Sequence, residues 1–190
     1  MKDDTRLLVA LAVIQTRGAI GERSLVDAVA HADRFVDLIP NDSTALVDLG
    51  SGGGLPALVI CWRRPDLGVT MVERRATRAD MLRRAIVSLQ LGDRATVVNA
   101  DVRSLCIESP AAFDVVTARS FADLSTTTRY VDALLSGSGV ALISEPPDDR
   151  SALWASVLES HPGLLDDGVY QGIRRLRRQS SPSLVPRETS

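Results

Sequence analysis

The sequence predicts a single α/β domain with a doubly wound, mostly parallel sheet of seven strands behind two leading helices. Short apolar runs alternate with stretches of helical periodicity, which is typical of a parallel sheet covered on both faces. A glycine-rich turn follows the first run, as in folds that bind nucleotide-like ligands at the carboxyl ends of their strands. The length of 190 residues leaves room for one such core.

The predicted elements follow in order from the hydrophobic pattern. Residues 1–40 predict a helical cap of two helices, the first ending at Gly18 and the second running from about Glu22 to Ile39, before Pro40. Buried strands are expected at the apolar runs 45–49, 69–72, 95–98, 113–118 and 140–143. Helices are expected between them at residues 55–62, 76–91 and 122–135.

The last part of the chain has a different pattern. Residues 148–159 predict a sixth helix, and residues 169–170 with 173–178 predict a closing pair of strands. The sequence SGSG at residues 136–139 predicts a turn ahead of the fifth strand. Residues 179–190, rich in Ser and Pro, predict a disordered tail, so the domain is expected to span residues 1–178.

The basic residues exclude several enzyme classes, because 21 of the 22 are Arg and only Lys2 is Lys. Enzymes that need a phosphate-loop lysine, a Schiff-base lysine or a Tyr-x-x-x-Lys hydride-transfer site do not fit this composition. His31 and His161 have no ligand spacing with a cysteine, so no metal site is expected. The apolar run 7–14 lacks signal-peptide flanks and is too short to span a bilayer, so we expect a cytoplasmic protein without membrane contact.

The strongest local signal is the sequence VDLGSGGGLP at residues 47–56, after the first predicted strand. Gly50, Gly52 and Gly54 let the chain turn sharply and let a ligand approach the backbone. Asp48 precedes these glycines, and Glu73 ends the second strand 19 residues after Gly54. A carboxylate there can accept hydrogen bonds from both hydroxyls of an adenosine ribose, so the sequence predicts a nucleotide-like cofactor.

Two cofactors are compatible with this arrangement. The sequence GGGLPA at residues 52–57 also satisfies the G-x-G-x-x-A pattern of dinucleotide-binding enzymes. A dehydrogenase usually needs a second half-sheet or a substrate domain, for which this chain lacks the length, and it lacks the lysine as well. S-adenosylmethionine needs one sheet and one glycine loop. We therefore expect S-adenosylmethionine, with S-adenosylhomocysteine as the product, and keep NAD as the competing cofactor.

Three segments resemble the RsmG (GidB) family, S-adenosylmethionine-dependent methyltransferases of the class I, Rossmann-like fold that methylate guanine N7 in small-subunit ribosomal RNA. They are VDLGSGGGLP at 47–56, VERRA at 72–76 and FDVVTARSFA at 113–122, within a resemblance that runs from residue 46 to 124. The resemblance implies cofactor contacts from Gly50 and Leu55, and an adenine held around Val102 and Arg103. It also implies that Arg119 lines the methyl-transfer site and contributes to cofactor binding.

The residues constrain the methyl acceptor less than they constrain the cofactor. Guanine N7 has a lone pair and no proton, so its methylation needs orientation and no general base, and Arg119 is expected to orient the acceptor. Family members usually carry Leu-Lys-Gly after the fifth strand, where this chain has LISEPP at residues 142–147. Glu145 in this segment is either a substrate-side carboxylate or part of an ordinary loop. A small-molecule methyltransferase and a non-catalytic cofactor-binding protein are the alternative functions.

Two basic segments are present within a net charge of −2. Residues 62–84 contain seven Arg and three acidic residues, and residues 170–187 contain five Arg and no acidic residue. Together they could form a surface that binds the phosphates of ribosomal RNA. The alternative is a solvated helix face and a solvated edge strand.

Overall fold

The computed structural model describes residues 4–179, and these form one seven-stranded sheet flanked by seven helices. The strands are β1 Ala45–Leu49, β2 Gly68–Val72, β3 Ala95–Val98, β4 Phe113–Ala118, β5 Leu135–Ser144, β6 Leu164–Tyr170 and β7 Ile173–Arg178. The helices are α1 Thr5–Thr16, α2 Leu25–Val36, α3 Ala57–Arg63, α4 Ala76–Leu89, α5 Val102–Glu108, α6 Leu124–Leu134 and α7 Ser151–Glu159.

The strand order of the sheet is β3-β2-β1-β4-β5-β7-β6. The first five strands pair in parallel, whereas β7 pairs antiparallel with both β5 and β6. The chain order reverses between β1 and β4, which is the point where ligands bind in open α/β sheets, outside the carboxyl ends of the strands. The predicted fold class is therefore confirmed, and the topology fixes where a functional site belongs.

Two hydrophobic cores cover the two faces of the sheet. Leu46, Met71 and Val115 point to the face packed by α1 to α4. Their strand neighbours Val47 and Val116 point to the opposite face, with α5, α6 and α7. Because both faces are buried, the central strands consist almost entirely of apolar residues, which explains the continuous runs in the sequence.

The two leading helices are fixed to the sheet layer by a cap and by ion pairs. The Ser24 hydroxyl accepts a hydrogen bond from the Asp27 amide at 3.3 Å and so begins α2. The Arg63 guanidinium, at the end of α3, pairs with both Asp4 beside α1 and Asp33 of α2. This half-buried cation joins three helices on one face of the molecule.

Some predicted boundaries were wrong, and two elements were missed in whole or in part. The SGSG sequence at 136–139 is part of β5, because Leu135 already pairs with Phe113 and the extra residues form an irregularity before Val140 pairs with Val115. Helix α5, begun by Asp101 as its N-cap, was not predicted. Strand β6 begins at residue 164 and so is longer than expected. Apart from Gln179, the expected disordered tail lies outside the described residues.

No helix within residues 4–179 combines the length and the apolar character that a bilayer-spanning segment requires.

Candidate functional site

The glycine-rich loop leaves β1 at Gly50 and leads into α3. Gly50, Gly52 and Gly54 have φ angles of 64°, 54° and 84°, a region that favours glycine. A Cβ atom at Gly50 would lie 2.6 Å from the Phe121 ring, and one at Gly54 would lie 2.4 Å from the Leu58 side chain. Gly50 is therefore required for a close contact with the segment after β4, and Gly54 for packing on α3.

Glu73 connects the glycine loop to the carboxyl end of β2. Its side chain is buried, and Oε2 accepts a hydrogen bond from the Gly52 amide at 3.0 Å. Oε1 accepts a second bond from the Arg75 amide at 2.8 Å. Each carboxylate oxygen has a further lone pair, so Glu73 can hold the loop and still accept hydrogen bonds from a ligand.

Asp48 lies at the carboxyl end of β1, with only 1% of its surface exposed. The Thr117 hydroxyl donates to its Oδ1 at 2.6 Å, whereas its Oδ2 is buried and has no hydrogen-bond partner among the described residues. Burial raises the pKa of Asp48 to about 6, and the hydrogen bond from Thr117 only partly opposes this. The strand pair β1–β4 thus holds one buried oxygen whose hydrogen-bonding capacity is unmet.

A cavity of about 440 Å³ opens beside the glycine loop, and we call it the glycine-loop pocket. Its lining residues are Gly50, Val72, Glu73, Arg74, Arg75, Arg78, Ala100, Asp101, Val102, Ser120, Phe121, Ala122, Thr126 and Tyr130. The structure thus brings together Gly50, Glu73 and Val102 of the predicted site residues. The other predicted loop residues, Gly52, Gly54 and Leu55, shape or support the loop without lining this pocket.

Arg103 lies outside the glycine-loop pocket. Its side chain is 73% exposed, and its Nε lies 3.1 Å from Oδ1 of Asp101. Asp101 also accepts a hydrogen bond from the Arg103 amide at 2.9 Å, which makes it the N-cap of α5. The Arg103 side chain therefore supports the start of α5, whereas its neighbour Val102 faces the cavity.

A second cavity, of about 700 Å³, lies after β4 and β5, and we call it the Arg119 pocket. Its lining residues are Arg23, His31, Ala118, Arg119, Ser120, Phe121, Ala122, Leu124, Thr127, Ile143, Ser144, Glu145, Pro146, Pro147 and Arg150. Ser120, Phe121 and Ala122 line both pockets. The two cavities therefore share a wall at the switch point of the sheet.

The Arg119 side chain has unmet hydrogen-bonding capacity in this second pocket. Its Nη1 is buried and has no hydrogen-bond partner among residues 4–179. Burial, together with the charge of Arg23, lowers the pKa of Arg119 from its ordinary value. Burial and the neighbouring arginines also lower the pKa of His31, so the imidazole is neutral at pH 7. The arginines thus supply the positive charge of the pocket.

The arginines of the two basic segments differ in what they contact. On β7, Arg174 pairs with Asp166, Arg175 and Arg177 pair with Asp167, and Arg178 pairs with Asp132. Three arginines of the first segment, Arg63, Arg64 and Arg83, also have carboxylate partners. Within the described part of the chain, the arginines of this segment without an ion pair are Arg74, Arg75, Arg78 and Arg84. Arg187 of the second segment lies outside the described residues.

Sequence reasoning missed several residues that line the glycine-loop pocket. Arg74 and Arg75 follow Glu73 directly, and Phe121 lies two residues after Arg119. Their positions just beyond strand ends were a usable signal, because ligands bind at that edge of the sheet. Tyr130 gave no such signal, since it reaches the cavity only through the packing of α6. The described residues contain no group of side chains arranged to hold a metal ion.

Comparison with known proteins identifies the family. Residues 8–146 match the family described as rRNA small subunit methyltransferase G. The chain belongs to this family. The match extends well beyond the resemblance at residues 46–124, because it includes most of α1, all of α2 and the segment after β5 that contains Glu145.

Curated relatives in the rRNA small subunit methyltransferase G family align with most of the chain. The protein named ribosomal RNA small subunit methyltransferase G from Acidiphilium cryptum is 36% identical over 167 residues, covering 84% of this chain and 72% of the relative. Its namesake from Paracoccus denitrificans is 35% identical over 158 residues, covering 78% of this chain and 79% of the relative. The relative from Salinispora arenicola is matched over 66% of its own length.

Solved structures confirm the methyltransferase fold of this family member. Cofactor-bound Rv0187 from MTB superposes with a TM-score of 0.70 and 17% identity, covering 94% of this chain and 92% of that one. A methyltransferase from Geobacter sulfurreducens gives a TM-score of 0.65 and 14% identity, covering 95% and 91% of the two chains. At these identities the likeness concerns the fold alone.

Proposed function

We propose that this chain transfers a methyl group from S-adenosylmethionine to guanine N7 of small-subunit ribosomal RNA, which leaves S-adenosylhomocysteine and would take place in the cytoplasm. The observation that carries the proposal is the shared wall of the glycine-loop and Arg119 pockets. Methyl transfer is an in-line displacement, so cofactor and acceptor must meet at a fixed angle and distance. Two adjoining pockets at the switch point provide separate places for these two reactants.

The residues of the glycine-loop pocket fit the proposed cofactor. Glu73 has spare lone pairs for the ribose hydroxyls, since its two backbone hydrogen bonds use only part of its capacity. Asp48 lies outside the pocket lining, two residues before Gly50, and its buried Oδ2 lacks a donor that the ammonium group of the methionyl part would supply. Val102 and Tyr130 offer an apolar and an aromatic surface to the adenine ring.

The proposed reaction requires little proton transfer by the protein. S-adenosylmethionine supplies a methyl group bound to a sulfonium, which becomes a neutral thioether after transfer. No side chain has to remove a proton from N7, so the neutral His31 in the Arg119 pocket is not needed as a base. Arg119 would hold an anionic part of the acceptor through its unpartnered Nη1, and so fix the direction of the lone pair.

A small-molecule acceptor is the second candidate, and the size of the Arg119 pocket favours it. The cavity of about 700 Å³ lies in the range of small-ligand sites. Its arginines would select an anionic molecule. The two candidates share the cofactor and differ only in the source of the acceptor.

The test combines cofactor binding with methyl transfer by the full chain. Isothermal titration with S-adenosylhomocysteine should show binding that Glu73→Ala weakens at least about tenfold, because charge-assisted hydrogen bonds are lost. Glu108→Ala, at an exposed site outside both pockets, is the matched control. Absence of binding by the unaltered chain would overturn the proposal at its base.

Methyl transfer then separates the candidate acceptors. Tritium from labelled S-adenosylmethionine should appear as N7-methylguanine in small-subunit ribosomal RNA taken from a strain that lacks this modification. Label in an anionic small molecule and none in RNA would favour the second candidate. Cofactor binding without transfer to either acceptor class would instead favour a non-catalytic protein.

A further inference from the structure

Glu145 is the one acidic side chain that lines the Arg119 pocket within the described residues. We propose that it selects the acceptor base, by accepting hydrogen bonds from ring N1–H and the exocyclic amine of a guanine nucleotide, while the pocket's arginines hold the phosphate. This assignment rests on the proposed function, because it names the residues that recognise the acceptor of that same reaction. Of the two alternatives for Glu145, a substrate-side carboxylate or an ordinary loop, it takes the first.

Glu145 is held in place by contacts with residues that do not line the pocket. Its backbone amide donates to the Gly172 carbonyl at 2.8 Å. The Trp154 indole Nε1 donates to its Oε1 at 2.8 Å, and Arg174 Nε lies 4.0 Å from the same oxygen. Within residues 4–179, Oε2 has no hydrogen-bond partner. A carboxylate fixed through one oxygen presents the other, and a spare lone pair of the first, to a ligand.

The hydrogen-bonding pattern of guanine matches such a carboxylate. Guanine presents two neighbouring donors, N1–H and the N2 amine, on the edge that it uses in base pairing. Adenine has an acceptor, N1, at the corresponding ring position, so it would place a lone pair against a negative oxygen. Two parallel hydrogen bonds to a charged partner are strong, and the repulsion of adenine adds to the discrimination. A buried, immobilised Glu145 therefore favours guanine.

The position of Glu145 also directs N7 toward the cofactor pocket. Guanine N7 lies on the opposite side of the fused ring system from N1 and N2. The sheet order places the glycine loop after β1, Arg119 after β4 and Glu145 after β5. Neighbouring strands are about 4.8 Å apart, so β1 and β5 are separated by about 10 Å, which a purine held between them can bridge. A base anchored at Glu145 turns N7 to the wall that the two pockets share.

The arginines of the same pocket supply the charge for a phosphate. Arg23, Arg119 and Arg150 line it, and none of their side chains forms an ion pair with another described residue. Arg119 in addition has the buried Nη1 without a partner. Guanidinium groups bind phosphate oxygens through directed, charge-assisted hydrogen bonds. The pocket therefore combines a cationic group for phosphate with one carboxylate for the base, which is the chemistry of a guanine nucleotide.

The test compares guanosine monophosphate with adenosine monophosphate, titrated into the full chain saturated with S-adenosylhomocysteine. The unaltered protein should bind the guanine nucleotide at least about tenfold more tightly. Glu145→Gln keeps an acceptor for Trp154 but replaces the free oxygen by a donor, so it should remove most of this preference. Asp148→Asn, at an exposed position three residues later and outside the pocket lining, should preserve it.

Several outcomes separate this inference from the proposed function. Equal binding of the two nucleotides by the unaltered chain, or an unchanged preference in Glu145→Gln, would overturn the role of Glu145. Failure of S-adenosylhomocysteine to bind would overturn the proposed function instead, and it is measured first. An RNA oligonucleotide with a single guanine, compared with the free nucleotide, distinguishes the two sources of the base. Transfer to either one that depends on Glu145 supports the inference.

Discussion

The two halves of the sheet differ in whether their charged side chains form ion pairs. On the β5–β7–β6 side, all four arginines of β7 have carboxylate partners, although Nε of Arg174 and Nε of Arg175 are buried without a hydrogen bond among the described residues. At the ends of β1 and β4, Asp48 has an oxygen and Arg119 a nitrogen that are buried without hydrogen-bond partners among the described residues. An ion pair compensates a charge within the chain, whereas a buried polar group without a partner costs free energy until a ligand binds. The charge of a segment and the charge that it offers to a ligand are therefore different properties.

The largest expected effect on stability concerns an ion pair on the β5–β7–β6 side of the sheet. Arg174 is buried, pairs with Asp166 and lies 5.0 Å from the Trp154 ring centroid. Arg174→Ala would remove the buried cation that pairs with Asp166 and lies 4.0 Å from the buried Glu145 carboxylate, and should lower the free energy of unfolding by about 3 kcal/mol. Urea denaturation followed by circular dichroism measures this change.

The control for this prediction is Arg177→Ala on the same strand, where the side chain is 54% exposed and 3.7 Å from Asp167. An exposed pair of this kind contributes about 0–1 kcal/mol. If the two substitutions lowered the free energy of unfolding equally, burial would not decide how much an ion pair on β7 contributes to stability. The expected contrast between Arg174 and Arg177 would then be wrong.

An effect on stability of similar size but opposite sign is expected for substitution of Asp48 at the carboxyl end of β1. Because burial raises its pKa from 3.8 to about 6, the folded state binds the proton more tightly than the unfolded state. The stability that this proton contributes is present at low pH and is lost as the pH rises from about 4 to about 6. Relative to Asp48→Asn, the unaltered chain should lose roughly 3 kcal/mol across that window.

Asp48→Asn also tests whether the buried charge of Asp48 contributes to cofactor binding. The substitution removes the charge that would pair with the cofactor's ammonium group, so the affinity for S-adenosylhomocysteine at pH 7.5 should fall at least about tenfold. Denaturation curves at pH 4 and pH 8, with titrations at pH 7.5, measure both effects. A variant that keeps full cofactor affinity would contradict the role assigned to Asp48.

The smallest expected effect concerns RNA affinity. Arg74 and Arg78 line the glycine-loop pocket and have no ion pairs within residues 4–179. If they contact RNA phosphates, the double substitution to Ala should reduce the salt dependence of RNA binding by about 1.4 in the slope of log affinity against log salt. Filter binding at several salt concentrations measures this slope.

The matched control replaces two paired arginines, Arg175 and Arg177, by Ala. Both side chains already lie near Asp167, so their loss should leave the slope of RNA binding nearly unchanged. Equal reductions for the two double variants would mean that pairing within the chain does not decide which arginines reach RNA.

Much of the fold could be predicted from the sequence, because both faces of the central sheet are buried. The runs at 45–49, 95–98 and 113–118 coincide with β1, β3 and β4. The first half of β6 could not be found in this way, since Asp166, Asp167 and Gly168 are unfavourable in strands. There the carboxylates are stabilised by β7 arginines, a contact that depends on antiparallel register. The seven-residue helix α5 is too short for its periodicity to be distinctive.

The candidate site, like the fold, could be predicted from the sequence only in part. Asp48, Glu73 and Arg119 could be predicted because each lies near the carboxyl end of a parallel strand, where the topology alone fixes their location. The surroundings of Glu145 could not, because its fixed orientation depends on how two other elements, α7 with Trp154 and β7 with Arg174, pack against it. Position along a strand is local information, whereas the orientation of a side chain depends on contacts between elements.

The Phe121 ring lies against Gly50 and belongs to the wall between the two pockets. A ligand that displaces this ring from one side alters the space on the other side. By thermodynamic reciprocity, any change in acceptor affinity caused by the cofactor must equal the change in cofactor affinity caused by the acceptor. In the proposed reaction the two reactants would therefore bind as a linked pair, through a wall that Phe121 forms together with Ser120 and Ala122.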